Sequence, residues 1–241
     1  MRAEFLKIRS MPTPMWAGIT LLAFFVCGIA ASVIWGVGED NAVLDLAIGL
    51  PTMICSIVLG SWIAGVEFGQ NTLRRVLSAD PRRVRLILVK LAALLVTIVT
   101  VTTVLTLLGV FIYSLAGSGH DTSIDFSFVP RMLASSLVFN ISYAVSAISL
   151  TLLTRSMAGG LTLTFVFYFV IDGLLSLIPT VGDYTVGVAL NDVDLAIRQQ
   201  ETGLFDQAAK HDVLVSALVL VAWLAVFLAA GIMRTVKTEV K

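Results

Sequence analysis

Six apolar segments constrain the fold of this chain more than any other feature of its sequence. Each is close to the roughly 20 residues that a helix needs to cross a bilayer. They cover about residues 15–37, 46–66, 88–116, 130–153, 158–178 and 213–233. Backbone groups inside a bilayer must be hydrogen-bonded within their own segment, so apolar stretches of this length predict helices. We therefore expect an all-α polytopic membrane protein with six transmembrane helices, forming one membrane domain over residues 1–241.

Composition excludes an ordinary water-soluble domain. Hydrophobic residues make up 58% of the chain and charged residues only 13%, against about 25% charged in a typical soluble domain. One core of this size could not bury so much apolar surface. The first apolar segment is longer than the hydrophobic region of a signal peptide, so we expect it to be a retained span. Two cysteines inside apolar segments and two histidines in separate loops predict no metal site.

The lysine and arginine residues predict the orientation in the membrane. With the N-terminus in the cytoplasm, the cytoplasmic loops and tails hold 13 of the 16 basic residues, which leaves Arg131, Arg198 and Lys210 outside. Eleven of the 16 acidic residues then lie on the outer side. Cytoplasmic loops are normally enriched in Lys and Arg, so this distribution predicts that both termini are cytoplasmic.

The segment from Glu67 to Lys90, between spans two and three, carries the clearest local pattern. Leu73, Val76 and Leu77 are spaced as one apolar face of a short helix. Asp80-Pro81 then suits the N-cap and first residue of a new helix that continues into span three. This basic loop could bind lipid headgroups, or it could be a rigid docking element for a partner.

A family resemblance bears on that choice. The loop resembles the corresponding loop of type-2 permeases of ATP-binding-cassette exporters in Glu67, Thr72, Leu73, Arg74, Leu77, Pro81, Arg83 and Lys90. The start of the chain, Arg2-Ala3-Glu4-Phe5-Leu6-Lys7, is similar to the amphipathic N-terminal helix of that family. Asn71 stands where the family more often has Gly, and Arg82 where it more often has Ser.

The resemblance implies that the loop contains a cytoplasmic coupling helix that docks on a separate ATPase subunit. The implied coupling residues are Glu67, Phe68, Thr72, Leu73, Arg74, Arg75, Val76, Leu77 and Pro81. The chain contains no G-x-x-x-x-G-K-[ST] motif, so we expect it to bind no cofactor and to be no enzyme by itself. ATP and Mg would bind to the partner subunit. The resemblance further implies a second permease chain, in a homodimer or heterodimer, and a bacterial plasma membrane location.

Two polar residues within the spans are candidates for the substrate pathway. Asp172 lies in span five, where a carboxylate is costly unless it is paired, hydrated or neutralised. It could face a polar or cationic part of the cargo, or it could form a hydrogen bond to a neighbouring span or be hydrated near the outer surface. Asn140 in span four raises the same alternatives.

The segment before span six predicts an amphipathic helix on the outer side. Val186, Ala189, Leu190, Val193, Ala196 and Ile197 form an apolar stripe opposite Asn191, Asp192, Asp194, Arg198 and Gln199. The resemblance implies that this helix covers the exit path, with Val186, Leu190, Val193 and Ile197 as its lid residues. An ordinary interfacial helix is the alternative.

The leading functional hypothesis is an export permease for an amphipathic or lipid-like substrate, with antimicrobial peptides and drugs among the candidates. A secondary transporter is the first alternative, although the sequence lacks internal repeats and several buried ionisable groups. An intramembrane enzyme is the second, although it would need at least two convergent polar groups in the membrane. No nucleic-acid partner is expected at zero net charge.

Overall fold

The computed structural model describes residues 19, 23, 25–28, 30, 40–69, 83–116, 127–200 and 208–237. The regular elements of these residues are helices, which confirms the all-helical prediction for this part of the chain. The long helices are α1 (Asp40–Gly69), α2 (Arg83–Ala116), α3 (Phe128–Thr154) and α7 (Val213–Lys237). The described residues of the first predicted span are helical as well.

The fifth span is built from three consecutive pieces. Helix α4 (Met157–Val166) continues into a π-helical turn (Phe167–Ile171) and then into the short helix α5 (Asp172–Leu175). A 3-10 turn (Gly182–Tyr184) follows and leads to the amphipathic helix α6 (Val186–Arg198). The π-helical turn has no signature in the hydrophobic pattern.

Five helices in the described part of the chain are long and apolar enough to cross a membrane. They are Ile48–Gly69, Val84–Ile112, Phe128–Thr154, Met157–Leu175 and Val213–Lys237, and they match predicted spans two to six. Most of span one lies outside the described residues, so the count of six spans stays a prediction. The amphipathic N-terminal helix at residues 2–10 also lies outside them.

Helix α3 is the centre of the bundle and packs against α1, α2, α4, α6 and α7. Small side chains fill its buried surface, which allows close approach of neighbouring helices. A Cβ placed on Gly60 of α1 would lie 2.6 Å from the carbonyl oxygen of Ala144, and one on Gly231 of α7 would lie 2.7 Å from that of Ser149. Both contacts therefore depend on glycine.

The charged residues collect at the two ends of this bundle. One end, which we call the basic end, holds the end of α1, the start of α2, the α3–α4 corner and the end of α7. The opposite end, which we call the acidic end, holds the start of α3, α5, α6 and the start of α7. The described basic residues at the basic end are Arg85, Lys90, Arg155, Arg234 and Lys237.

Candidate functional site at the two ends of the bundle

A buried ion pair closes the base of the basic loop. Lys90 Nζ of α2 lies 2.9 Å from Glu67 Oε1 of α1, and each side chain is only 3% exposed. The same ammonium group donates a hydrogen bond of 2.7 Å to the carbonyl oxygen of Ile63, one turn earlier in α1. Two helices that the loop separates in sequence are thus joined by charge-assisted bonds where the loop leaves and re-enters the bundle.

The end of α1 also contacts the corner between α3 and α4. The Arg155 guanidinium lies over the Phe68 ring, 5.8 Å from its centroid. Arg155 has a left-handed backbone conformation (φ 56°), and its N–H donates to Thr151 at the end of α3. Gly65 packs so closely on Met157 that a Cβ there would overlap that side chain. The base of the basic loop is therefore in contact with two other helix ends, the end of α3 and the start of α4.

At the acidic end, Asp172 forms hydrogen bonds to the first turn of α6. The Gly187 N–H lies 3.2 Å from Oδ1 and 3.0 Å from Oδ2 of this carboxylate. Thr185 supplies the local cap, with its hydroxyl accepting from the Val188 N–H at 3.4 Å. The free N–H groups and the positive dipole end of a helix favour a carboxylate at this position. Asp172 of the fifth span therefore acts as a second cap for the N-terminus of α6.

A second aspartate joins α6 to the last span. Asp192 is only 1% exposed, and its carboxylate accepts from the N–H groups of Lys210 at 3.0 Å and His211 at 3.2 Å. It also accepts from the Ser216 hydroxyl at 2.8 Å. The sequence places Asp192 opposite the apolar stripe of α6, and the structure shows that this side of the helix is buried as well at Asp192. Three donors at the start of α7 make its burial favourable.

A third contact fastens α6 to α3. Asp194 accepts a hydrogen bond from the Ser135 hydroxyl, and Arg198 forms an ion pair with the same carboxylate at 2.6 Å. The Arg198 guanidinium also donates to Ser135 and lies 5.6 Å from the centroid of Phe128. The sequence placed Asp194 and Arg198 opposite the apolar stripe, and periodicity gives no information on which neighbours lie there.

The remaining loop contacts of the acidic end involve Asp183 and Lys210. Their side chains form an ion pair of 2.8 Å, and both are about half exposed, at 47%. Hydrogen bonding to Lys210 and its positive charge lower the pKa of Asp183 below its ordinary value. The Tyr184 ring stacks on His211, and the Trp223 indole donates to the Tyr184 carbonyl oxygen at 2.9 Å. The segment before α7 is thus bonded to the 3-10 turn and to α6, and Trp223 bonds α7 to the same turn.

One comparison with known proteins decides what kind of membrane protein this is. The family model described as "ABC-2 family transporter protein" matches residues 1–171, well over half of the chain. The chain belongs to the ABC-2 transporter family. It is therefore a permease subunit of the ABC-2 type, a multi-pass membrane component whose family works with ABC ATPase subunits. A search of curated proteins gives no significant match.

The match divides the permease at an informative position. It includes the whole basic loop with Glu67 and Lys90, and it ends one residue before Asp172. Helices α6 and α7 and the capping carboxylate therefore lie beyond the matched part. The contacts of the acidic end have to be interpreted from this chain alone.

The predicted coupling residues of the permease are described only in part. Glu67 and Phe68 lie at the base of the loop as given above. Seven others lie outside the described residues, so their role stays a prediction: Thr72, Leu73, Arg74, Arg75, Val76, Leu77 and Pro81. The pairing of Glu67 with Lys90 could not be read from periodicity, because the two residues are separated by the loop.

Asn140 of the permease pairs with a threonine of the neighbouring helix. Its side-chain amide is 2% exposed and donates to the Thr102 hydroxyl of α2 at 3.1 Å. Thr97 and Thr100, in contrast, bond to carbonyl oxygens of their own helix. Asn140 and Asp172 each have a protein partner in this structure, and their contact with cargo stays a prediction.

The amphipathic helix predicted before span six is present as α6, with its buried side only partly as expected. Its role as a lid stays a prediction. Val186 and Leu190 are buried against α3, α7 and the fifth span. Val193 and Ile197 are partly buried, and Leu195, outside the predicted stripe, is buried instead. Because α6 packs on three helices, more than one of its faces is covered.

Proposed function

We propose that this permease exports an amphipathic or lipid-like substrate, driven by ATP that a separate ABC ATPase subunit hydrolyses with Mg. The ATPase docks on a coupling helix in the basic loop, which faces the cytoplasm together with both termini. Six spans cross a bacterial inner membrane, and a second permease chain completes the transport path. Antimicrobial peptides and drugs are candidate substrates, because the spans offer a mainly apolar surface.

The closed base of the basic loop is the observation that carries this proposal. A movement of the loop would be lost as local bending if α1 and α2 were free to separate at this end. The buried Glu67–Lys90 pair and the bond from Lys90 to Ile63 hold the two helices together. A push on the loop is then transmitted to both helices as one unit, as coupling to a rigid-body switch requires.

The contact between Phe68 and Arg155 extends this unit. Arg155 lies at the α3–α4 corner, and α3 contacts the other long helices of the described bundle. Movement of the loop base therefore reaches the central helix directly. A loop that only binds lipid headgroups would not need a base fixed by the Glu67–Lys90 and Phe68–Arg155 contacts.

Co-purification tests the proposal. The tagged permease is co-expressed with candidate ABC ATPase subunits, and a bound ATPase is sought after membrane extraction. Reversal of both Arg74→Glu and Arg75→Glu is expected to abolish binding or ATP turnover, because these side chains belong to the proposed docking helix. Arg131→Glu, at the start of α3 and the opposite end of the bundle, is the matched control and should leave both unchanged.

The outcome separates the candidate functions. Loss of ATPase binding in the double reversal with a normal Arg131→Glu variant supports docking at the loop. If no ATPase co-purifies with the unaltered permease, or if the reversal has no effect, docking at the basic loop is wrong. Transport that persists without any ATPase would favour the secondary-transporter alternative.

A further inference from the structure

The contact between Asp172 and Gly187 is a polar link between the fifth span and α6, which also pack together through Phe167, Val186 and Leu190. Asp172 stands at the start of α5, directly after the π-helical turn of the fifth span. Gly187 is in the first turn of α6. Asp172 is 8% exposed, and its two carboxylate oxygens accept hydrogen bonds of 3.2 and 3.0 Å from the same backbone N–H.

Gly187 has the shape that this contact needs. A Cβ at this position would overlap the Asp172 carboxylate, so only glycine lets the side chain reach the backbone. Its φ is not in the left-handed region, so the need for glycine here comes from space. Gly173, next to Asp172, is different, because a Cβ there would meet no atom within 4 Å.

The other polar contacts of α6 lead to α3 and α7. Asp192 bonds to Lys210, His211 and Ser216 at the start of α7, and Asp194 bonds to Ser135 of α3. Helix α6 is thus held to the body formed by α3 and α7. Asp172 bonds α6 itself to the fifth span. The Tyr168 hydroxyl of the π-helical turn bonds separately to α3, 2.9 Å from the Ser146 hydroxyl.

The π-helical turn before Asp172 is a point at which the fifth span can move relative to α6. Such turns interrupt the regular hydrogen-bond ladder and are frequent at functional sites. Any sliding or rotation of α5 away from α6 must break the bonds to Gly187. A carboxylate that loses its donors at membrane depth is strongly disfavoured, so the bonded arrangement is the resting one.

We infer that Asp172 and Gly187 form a latch which holds α6 against the fifth span, and that this latch must open in each transport cycle. Asp172 is then a positioning residue, which controls when the exit path opens. This inference rests on the proposed function and on the prediction that α6 covers the exit path. It assigns a reversible role to Asp172 and a required role to Gly187.

A disulfide lock tests the latch. The Cβ of a side chain at Gly187 would lie 3.3 Å from Asp172 Cγ, and the sulfur of a cysteine occupies the place of Cγ, so the pair suits a disulfide. Asp172→Cys and Gly187→Cys are combined in a permease in which Cys27 and Cys55 are replaced by serine. The complex with its ATPase is reconstituted in phosphatidylethanolamine–phosphatidylglycerol vesicles, and ATP turnover is measured before and after reduction with dithiothreitol.

The expected result is loss of ATP turnover in the oxidised complex, with the ATPase still bound, and recovery on reduction. The Asp172→Cys single variant under the same oxidation controls for the loss of the carboxylate. Full turnover in the oxidised double variant overturns the latch. Failure of the two cysteines to oxidise, although both single variants assemble, overturns it as well, because the side chains are then not adjacent.

A glycine pair gives a second measurement that needs no oxidation. Gly187→Ala keeps the Asp172 carboxylate in the protein but pushes it away from the Gly187 N–H. Because the latch is then weakened, ATP turnover in vesicles without added cargo is expected to rise above that of the unaltered complex. Gly173→Ala is the matched control and should behave as the unaltered complex. Equal turnover in the two variants contradicts the latch. Absence of ATPase binding by the unaltered permease contradicts the proposed function instead, which keeps the two failures distinct.

Discussion

Removal of one partner of the Glu67–Lys90 pair should destabilise the permease far more than removal of both. The two groups are 2.9 Å apart and each is 3% exposed, so either charge alone remains in a region with little water. Loss of one partner from a buried pair typically costs about 3–5 kcal/mol, because the other charge is left uncompensated. Lys90→Met also removes the bond to the Ile63 carbonyl oxygen.

The double variant Glu67→Met/Lys90→Met contains no buried charge at this position. Replacement of a buried ion pair by apolar side chains of similar size is often neutral, or stabilising by about 1–4 kcal/mol. Thermal unfolding of the purified permease in detergent checks the three variants. With about 2–4 °C in Tm for each kcal/mol at this chain length, each single variant should melt about 6–20 °C below the unaltered protein.

The double variant should melt near the unaltered protein and lose coupling between ATP turnover and transport, since the two helices are no longer joined by charge. The reasoning is refuted if the double variant loses the sum of the two single effects. Additive losses would mean that the two charges do not interact, because independent sites add and coupled sites do not.

Three further predictions follow from contacts inside and outside the membrane. Gly60→Ala should lower Tm, because its Cβ would lie 2.6 Å from a carbonyl oxygen of α3, whereas Gly49→Ala in the same helix meets no atom within 4 Å and should be neutral or stabilising by about 0.5–1 kcal/mol. Asn140→Leu should cost about 0.6 kcal/mol, a typical value for a hydrogen bond between helices in a membrane. This variant should leave substrate-stimulated ATP turnover unchanged if the residue only joins two helices, and a changed turnover would place it in the substrate pathway. The lowered pKa of Asp183 means that its ion pair with Lys210 stabilises the fold above about pH 4 and loses this effect as pH falls through the folded-state pKa. A Tm-against-pH series should lose this acid-side component in Lys210→Met, and an unchanged series would contradict the assignment.

The sequence allowed prediction of the helices better than prediction of their contacts. Apolar length located five long helices to within a few residues at most of their ends, because burial in a bilayer demands continuous apolar segments. The same signal gave no indication of the π-helical turn in the fifth span, since a single wide turn leaves the average hydrophobicity unchanged. Helical periodicity found α6 but gave no indication that Asp192 is buried. Periodicity assumes one buried face, whereas this helix packs on three neighbours.

The sequence allowed us to recognise individual residues of the candidate site but not their partners. Asp172 was recognisable as costly in a membrane, but its partner is a backbone N–H of Gly187, and a backbone group has no signature in the sequence. Glu67 and Lys90 were recognisable as family positions, while their contact depends on how two long helices cross. Long-range pairing of this kind follows from tertiary packing, which one sequence does not encode in any local pattern.

The glycine contacts of α3 have a consequence for how the permease moves. At Gly60 and Gly231 the neighbouring helices touch the backbone of α3, while hydroxyls of α3 at Ser149 and Thr151 bond to carbonyl oxygens within their own helix. A Cβ fits at neither position, so a slide of α1 or α7 along α3 would press the side chain of another residue against the α3 backbone. The two glycines therefore fix the axial position of both helices, and we expect α1, α3 and α7 to move together in a transport cycle.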